Sequence, residues 1–164
     1  NIKKCMSYAY KNKYDYAAMI HGDNQYSPKY LKEMLNTLIK TESASVTGSR
    51  MKNKIQALRG GMPYYKFIGN IILTKFFNIF YGTSFTDCHT GYWFYDLKKI
   101  KKPWLKNFDN GFLFDLDMRL KLVKEKCIIK EIPILTRYGT ERSSIHFKYA
   151  VRFLISTVIG NFKK

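Results

Sequence analysis

The chain has 164 residues, enough for one domain with a buried core, and 46% of them are hydrophobic and 16% aromatic. This content excludes a disordered chain, since disordered sequences are poor in both classes. Lysine and arginine outnumber acidic residues by 29 to 12, a formal net charge of +17, which indicates either an anionic partner or a compositional bias of the source.

The cysteines and the longest apolar stretch bear on the cell compartment. Cys5, Cys88 and Cys127 are far apart and form no paired motif, which favours a reduced, cytoplasmic environment. Lys66 and Lys75 interrupt the longest apolar-rich stretch. Because lysine is costly in hydrocarbon, we exclude a transmembrane helix there.

The first fifty residues predict a strand, a helix and a strand. Residues 16–20 are an apolar run of strand length. Ser27-Pro28 starts a helix, because serine can cap free N–H groups and proline is tolerated at the first helical position. Residues 45–47 predict the second strand, which Gly48 closes. This order is typical of a parallel α/β unit.

The rest of the chain continues the alternation. Residues 50–61 are polar and end in two glycines, so we predict a mobile loop that becomes ordered with substrate. Pro63 opens a helix that extends to about residue 81. The later predicted elements are a strand over 92–95, a helix over 112–125, a strand over 128–135 with an edge or bulge at Pro133, and an amphipathic helix from 145.

The residues expected on the buried sides of the two central helices are Ile68, Ile71, Ile72, Phe76 and Phe80 in the first, and Phe112, Leu116, Leu120 and Val123 in the second. We predict a single domain over residues 1–164.

A polar pentapeptide, HGDNQ, follows the first predicted strand at residues 21–25. Asp23 and Gln25 supply oxygen ligands at a strand end, where α/β sheets commonly place ligand sites. Such ligands suit Mg²⁺ or Mn²⁺, with phosphate oxygens and water completing the coordination. The same residues are equally compatible with an Asx-type turn before the capped helix.

Six further motifs follow in order: VTGSR (46–50), RGGMPYYK (59–66), TDCHTGYW (86–93), GFLFDLD (111–117), EIPI (131–134) and RYGTERSS (137–144). With HGDNQ they resemble the family 2 glycosyltransferases, in particular the branch of dolichyl-phosphate mannosyltransferases and bacterial polyprenyl-phosphate sugar transferases. The resemblance runs from about Tyr14 to Ser144. It implies a partial GT-A fold, an α/β, Rossmann-like and mostly parallel sheet with flanking helices, which binds a nucleotide-sugar through a divalent metal.

The resemblance also implies that part of the catalytic domain precedes Asn1. The family begins with a strand of the form I-P-x-Y-N-E and a second acidic strand end, neither of which is present. We therefore expect the chain to be the C-terminal two-thirds of a catalytic domain and to be inactive by itself.

Several residues match the family's functional positions. Asp23 and Gln25 fall on the metal-binding positions of its D-x-D-x-Q motif. His21 replaces the first aspartate; a neutral imidazole does not supply that charge, but it can hydrogen-bond ribose or ligate a metal. Arg142 and Ser144 lie in a segment that the family uses near the phosphate-bearing substrate.

Three cations are candidates for binding phosphate. Arg50 matches the arginine of a G-S-R motif, and Lys66 replaces an arginine that often follows G-G-M-P. A leaving nucleoside diphosphate and a phosphate acceptor both need fixed cations, and Arg59 lies beside the paired glycines. Outside the motif context, these side chains would be interpreted as solvated loop cations.

Carboxylates supply the catalytic candidates. The family places Asp87 beside the acceptor and the donor sugar. It would be a general base for a sugar hydroxyl, or would position the sugar if the acceptor is a phosphate, which is already anionic near neutrality. The adjacent His89 is a candidate for binding phosphate. Asp117 replaces the family's usual glutamate, whereas Asp115 is equally explained as a helix-start carboxylate.

We interpret the chain as part of an inverting, metal-dependent transferase that moves a sugar from a nucleotide-sugar donor to a membrane-associated acceptor, either a lipid phosphate such as polyprenyl phosphate or a glycan. The basic, aromatic C-terminal helix is compatible with an anionic membrane surface, which would place the protein at a cytoplasmic membrane face, and equally with core packing. The alternatives are a basic nucleic-acid-binding module and an inactive truncated scaffold. No nucleic-acid motif is present, so we do not expect a nucleic-acid partner.

Overall fold

The computed structural model describes residues 1–22, 25–139 and 147–162, without the side chains of the residues at 147, 161 and 162. The helices are α1 (Ile2–Lys11), α2 (Leu31–Lys40), α3 (Lys54–Arg59), α4 (Tyr64–Tyr81), α5 (Phe114–Lys124) and α6 (Phe147–Phe162), and the strands are β1 (Tyr16–Met19), β2 (Ser45–Ser49), β3 (Trp93–Asp96) and β4 (Ile129–Pro133). Short 3₁₀ turns cover Pro28–Tyr30, Met51–Asn53 and Lys102–Asn107.

The four strands form one mixed sheet in the order β1-β3-β2-β4. β3 is antiparallel to both of its neighbours, whereas β2 and β4 are parallel. The prediction of a mostly parallel sheet is therefore wrong for the described strands, because β3 separates the two strands of the expected parallel unit. The chain is α/β as predicted, with helices flanking the sheet.

Local sequence signals placed most elements correctly. All four predicted strands are present, and Pro133 ends β4 at an edge of the described sheet. Ser27 caps the 3₁₀ turn that precedes α2, since its Oγ accepts a hydrogen bond from the Lys29 backbone N–H at 3.4 Å. Pro63 directly precedes α4 as expected.

The prediction of a loop over residues 50–61 is wrong. A 3₁₀ turn and α3 occupy most of this segment. The Asn53 side chain caps α3 by accepting a hydrogen bond from the Gln56 N–H at 3.1 Å. Met51, Ala57 and Met62 are buried in a small apolar cluster. Cap and cluster together explain why a polar, basic segment is helical.

The buried side of α4 also differs from the prediction. Ile68 and Ile72 are 54% and 59% exposed, and the buried residues are Asn70, Thr74 and Phe77. The apolar periodicity predicted the wrong buried face, because it assumes that apolar side chains face inward. Instead, α4 directs two polar side chains, Asn70 and Thr74, toward the site described below. The other predicted helix begins at Phe114, so Phe112 precedes α5 and is exposed, while Leu116 and Leu120 of α5 are buried as predicted.

Helix α6 packs along α4 through one face. Phe153 and Thr157 are buried, the Phe77 and Phe153 rings are 6.4 Å apart, and the Tyr81 hydroxyl donates to the Thr157 carbonyl at 2.8 Å. The core-packing interpretation therefore holds for this face. The opposite face exposes apolar side chains, including Ile155. Within the described ranges, no helix has the length and hydropathy to cross a bilayer.

Replacing Gly60 should destabilise the contact between the α3 segment and the chain after β4. The Gly60 carbonyl accepts from the Tyr138 N–H at 2.9 Å, and a Cβ at Gly60 would overlap the Thr136 carbonyl oxygen. We expect Gly60→Ala to lower the free energy of unfolding by about 1–3 kcal/mol, measured by urea denaturation. Gly69→Ala is the matched control, because a Cβ there meets no atom within 4 Å and alanine favours the helix by up to ~1 kcal/mol. Equal effects of the two substitutions would contradict the assignment.

Candidate functional site

Four chain segments meet where the strands of the mixed sheet end. β1, β2 and β4 run in the same direction, so their carboxyl ends lie at the same end of the sheet, and the antiparallel β3 begins there. HGDNQ follows β1, Arg50 follows β2, and TDCHTGYW leads into β3. The ring of His21 lies against Gly91, where a Cβ would overlap it, and the Gly91 N–H donates to the Tyr26 hydroxyl at 3.2 Å.

A buried ion pair between Arg50 and Asp87 lies at this end of the sheet. Arg50 Nε and Nη2 donate to the two carboxylate oxygens of Asp87 at 2.7 and 2.9 Å. The Asp87 side chain is fully buried. Arg50 Nη2 also donates to the His89 carbonyl at 2.8 Å, and Nη1 donates to the Tyr138 hydroxyl at 3.1 Å. The guanidinium is therefore held by two parts of the chain, the segment of Asp87 and His89 and the segment of Tyr138.

The carboxylate of Asp87 is saturated with donors. Besides the guanidinium, it accepts from the Arg50 N–H at 3.2 Å, Asn70 Nδ2 at 2.7 Å and the His89 N–H at 3.0 Å. Burial alone would raise the pKa of Asp87, but the charge and hydrogen bonds of Arg50 and the hydrogen bond of Asn70 hold that pKa well below its ordinary value. Such a carboxylate is a poor proton acceptor, so the geometry favours a positioning role over a general base.

Glu131 of β4 fixes the chain before Asp87. Its Oε2 accepts from the Thr86 N–H and the Thr86 hydroxyl, both at 2.8 Å, and its Oε1 accepts from the Asp87 N–H at 3.2 Å. On α4, Thr74 donates to Asn70 Oδ1 at 3.0 Å, which orients the amide toward Asp87. The EIPI glutamate and the two polar residues of α4 thus serve the same carboxylate.

Arg119 of α5 contacts the segment that carries Asp87. Its side chain is fully buried, with the guanidinium carbon 4.5 Å from the Phe85 ring centroid and 4.7 Å from that of Trp93. Nη2 donates to the Asp87 carbonyl at 3.3 Å. Stacking between two aromatic faces stabilises this buried cation.

A cavity of about 350 Å³ opens beside the ion pair. Its walls are mainly apolar and include two cations, Arg50 and Lys66. The residues that line it are Arg50, Met62, Tyr65, Lys66, Gly69, Asn70, Leu73, His89, Tyr138, Tyr149 and Ala150. Lys66 Nζ lies 5.5 Å from the Tyr138 ring centroid. The structure thus places three predicted residues, Arg50, Lys66 and His89, around one space.

His89 is a neutral imidazole in this cavity. Burial lowers the pKa of His89 to about 3, with the nearby cations Arg50 and Arg119 acting in the same direction and Asp87 opposing them. Its Nδ1 lies 3.1 Å from the Tyr149 hydroxyl. Nε2 is shielded from solvent and has no hydrogen-bond partner among the residues described. A buried nitrogen of this kind is available to a ligand.

A second cavity, of about 520 Å³, lies between the end of β1 and the start of α5. His21 and Asp115 line it, with Asn1, Ile2, Met19, Ile20, Gly22, Asn110, Gly111, Phe112 and Phe114. Asp117 does not; its Oδ2 accepts from the Asp109 N–H at 2.5 Å and anchors the loop before α5. The catalytic role of Asp117 stays a prediction.

Two of the remaining predicted residues, Arg59 and Gln25, are described, and neither lines one of these two cavities. Arg59 is exposed at the end of α3 and does not line the first cavity. The Gln25 carbonyl accepts from the Arg137 N–H at 3.4 Å. Asp23, Arg142 and Ser144 lie outside the described residues. Within the part of the chain that is described, no three His, Cys, Asp or Glu side chains cluster as a metal site, so the predicted metal stays a prediction.

Sequence reasoning missed several residues of the site. Asn70 was hidden among the apolar residues of α4, and Tyr149 lies on a helix without a motif. Glu131 belongs to the recognised motif EIPI, whose side-chain contacts no linear pattern specifies. Tyr138 was not missed, since it lies in the RYGTERSS segment that we expect near the phosphate-bearing substrate. The signal that would have found Asn70 and Thr74 is their i and i+4 spacing, which puts two polar side chains on one face of an otherwise apolar helix.

Comparison with known proteins relates the chain to a sugar transferase. No protein-family model matches it. Over 124 residues, 73% of the chain, it is 32% identical to the low-salt glycan biosynthesis hexosyltransferase Agl6 of Haloferax volcanii. The chain spans only 28% of the length of that protein. The similarity supports a glycosyltransferase relationship.

Removing the charge of Asp87 should strongly destabilise the fold. In Asp87→Asn the buried Arg50 guanidinium loses its counter-charge, and we expect a loss of about 3–5 kcal/mol in the free energy of unfolding at pH 7. The matched control is Asp15→Asn, which breaks an exposed ion pair with Lys98 (2.7 Å) and should change the stability far less, because solvent screens exposed charges. Urea denaturation measures both, and similar losses would contradict a central role for Asp87.

The same carboxylate sets a pH dependence. Because the pKa of Asp87 is lower in the folded chain than in the unfolded one, its stabilisation is complete above the unfolded pKa of about 4 and is lost as the pH falls below it. We expect the free energy of unfolding to fall more steeply below pH 4 in the wild type than in Asp87→Asn. Identical slopes from pH 5 to pH 2 would show that this carboxylate is not the one responsible.

Proposed function

We propose that the chain is the metal-binding and acceptor-side part of a hexosyltransferase that moves a sugar from a nucleotide-sugar to a lipid phosphate, such as polyprenyl phosphate, at a membrane surface. The observation that carries the proposal is the cavity beside the Arg50–Asp87 pair, whose lining combines cationic side chains with mainly apolar surface. The similarity to a hexosyltransferase supports the reaction class.

The cavity suits an acceptor with a charged head and an apolar tail. Arg50 and Lys66 provide positive charge for a phosphate. If the Tyr149 hydroxyl donates to Nδ1 of His89, the imidazole proton is on Nε2 and can be donated to a phosphate oxygen. Leu73 and Ala150 line the same cavity with apolar surface, which suits an isoprenoid chain.

A phosphate acceptor also agrees with the state of Asp87. A phosphate monoester has a second pKa of about 6 and is already anionic near neutrality, so it attacks without a general base. Its oxygen forms the new bond to the anomeric carbon as the bond to the donor diphosphate breaks, which inverts the anomeric centre. Asp87 holds Arg50 in place for the acceptor. A hydroxyl acceptor would need a base, which a donor-saturated carboxylate supplies poorly.

We place the donor at the neighbouring strand end. Asp23 and Gln25 would hold Mg²⁺ or Mn²⁺ there, and His21 lines the adjoining cavity. A bound metal would stabilise the negative charge on the leaving diphosphate. The net charge of +17 and the exposed apolar side chains of α6 support attachment to an anionic bilayer.

Neutralising Lys66 should weaken acceptor binding selectively. In the protein as its gene encodes it, we expect Lys66→Gln to raise the KM for polyprenyl phosphate roughly tenfold, because a charge-assisted contact is lost, while the donor KM is unchanged. Lys75→Gln is the control, since Lys75 is an exposed lysine of the same helix. Initial rates with radiolabelled sugar nucleotides, extracted into organic solvent, measure both constants. Equal changes in the donor and acceptor KM values, or turnover of unphosphorylated polyprenol, would overturn the acceptor assignment.

A further inference from the structure

The end of the sheet opposite the candidate site is strongly basic. β1, β2 and β4 begin at this end and β3 ends there, and backbone hydrogen bonds join residues 15 and 97, 44 and 96, and 44 and 128. We call the segments 11–15, 40–44, 96–104 and 121–128 the basic end. They hold four acidic residues and ten lysines, which are Lys11, Lys13, Lys40, Lys98, Lys99, Lys101, Lys102, Lys121, Lys124 and Lys126.

Local interactions compensate only part of this charge. Helices α1, α2 and α5 each end here with lysine in the last turn, and each helix C-terminus carries about half an elementary negative charge. Three of the acidic residues already pair with lysines of the basic end, in the pairs Asp15–Lys98, Asp96–Lys99 and Glu125–Lys121. The lysines exceed the acidic residues by six, more than three helix ends neutralise.

The excess charge does not serve the candidate site. The five residues of β2 separate the basic end from Arg50, and a strand of that length spans about 15 Å. Exposed charges farther apart than the Debye length, about 8 Å at physiological ionic strength, are largely screened from one another. A phosphate bound beside Arg50 therefore gains little from these lysines, and their concentration points to a separate anionic partner.

Two segments of the basic end bring their lysines to one aromatic ring. Lys101 Nζ and Lys121 Nζ lie 6.0 and 5.2 Å from the Trp104 ring centroid. The hydrogen bond and charge of Lys121, together with the charge of Lys101, lower the pKa of Glu125. The ring stabilises both cations in part, but like charges held this close repel each other, and an anionic partner would relieve the repulsion.

The other side chains of the basic end indicate a polypeptide partner. Ile39 and Ile128, which adjoin these segments, are 54% and 50% exposed, and aliphatic surface beside lysines suits an acidic segment that also carries apolar side chains. Nucleic acids are typically bound by arginine forks and open aromatic faces. The four segments contain no arginine, and of their two aromatic residues, Tyr14 and Trp104, the second is already in contact with two lysines.

We propose that the basic end is a docking surface for an acidic polypeptide segment of a partner protein. The partner's carboxylates pair with the lysines, and its aliphatic side chains cover Ile39 and Ile128. A bilayer does not fit as the occupant, because the cavity that we assign to a lipid phosphate lies at the opposite end of the sheet; this step rests on the proposed function. Docking at the basic end leaves both cavities open, so the partner would tether the protein without blocking sugar transfer.

The test titrates a glutamate-rich peptide with interspersed leucines into the protein as its gene encodes it, at physiological ionic strength, by calorimetry. The same peptide with glutamine in place of glutamate controls for apolar contact alone. We expect saturable binding of the acidic peptide only. Trp104 supplies a local signal, since carboxylates that draw Lys101 and Lys121 from its ring should change its emission. Trp104→Phe should lose that change and keep the affinity.

Two triple variants with the same change in net charge locate the surface. The basic-end variant carries Lys101→Gln, Lys102→Gln and Lys126→Gln. The control variant replaces exposed lysines of α2, α3 and α4 and carries Lys32→Gln, Lys54→Gln and Lys75→Gln. We expect the basic-end variant to bind the acidic peptide roughly tenfold more weakly, because three exposed charge pairs are lost. The control variant should bind as the wild type does, and both should transfer sugar at the wild-type rate.

Several outcomes would overturn the docking surface. Equal weakening in the two variants would show that net charge alone attracts the peptide, and a wild type that does not bind the peptide would exclude the partner. A uridine oligonucleotide or phosphatidylglycerol vesicles that bind more tightly than the peptide, and lose binding in the basic-end variant, would assign the surface to another class of partner. A wild type that binds the peptide as expected but transfers no sugar would refute the proposed function and leave the docking surface standing.

Discussion

The candidate site depends on the burial of one ion pair. The negative charge of Asp87 is buried, which would destabilise the fold if the charge were unpaired. Arg50, Asn70 and backbone N–H groups surround it and offset this cost. These donors lie on three segments, at Arg50 after β2, at Asn70 on α4 and at His89 beside Asp87 itself. Satisfying this single charge therefore fixes the end of β2, the inner face of α4 and the segment before β3 relative to one another.

The same requirement explains the composition of the elements around it. Helix α4 places Asn70 and Thr74 inward and leaves isoleucines exposed, because the carboxylate needs hydrogen-bond donors more than further apolar contact. Glu131 adds a second carboxylate nearby, but it accepts from Thr86 and the Asp87 N–H and so orients the chain. Several buried polar atoms of the described residues have no hydrogen-bond partner, among them Arg119 Nε and Nη1; two of these atoms, His89 Nε2 and Asp115 Oδ1, belong to residues that line a cavity.

Most secondary-structure elements could be predicted from the sequence, but the strand order and the side-chain contacts between distant residues could not. Local signals such as Ser27-Pro28 or the apolar run at 16–20 depend on adjacent residues and were confirmed. Motif context selected Arg50, Lys66 and His89, which line the same cavity, while their role in binding phosphate stays a prediction. The position of β3 and the partners of Asp87 could not be predicted, since both depend on contacts between residues 17 to 80 positions apart. The helix over 54–59 was missed because its capping residue, Asn53, was taken as part of a polar loop.

The insertion of β3 between β1 and β2 has a consequence for how the chain acquires its structure. Every strand pairing in the described sheet involves either β3 or β4. During synthesis, β1 and β2 therefore cannot form their pairings in the described sheet until residues near 96 have emerged. The sheet forms through long loop closures, which slow folding and leave apolar strands uncovered meanwhile. The high positive charge keeps such nascent chains apart, so the same lysines that suit an anionic partner also protect the chain before it has folded.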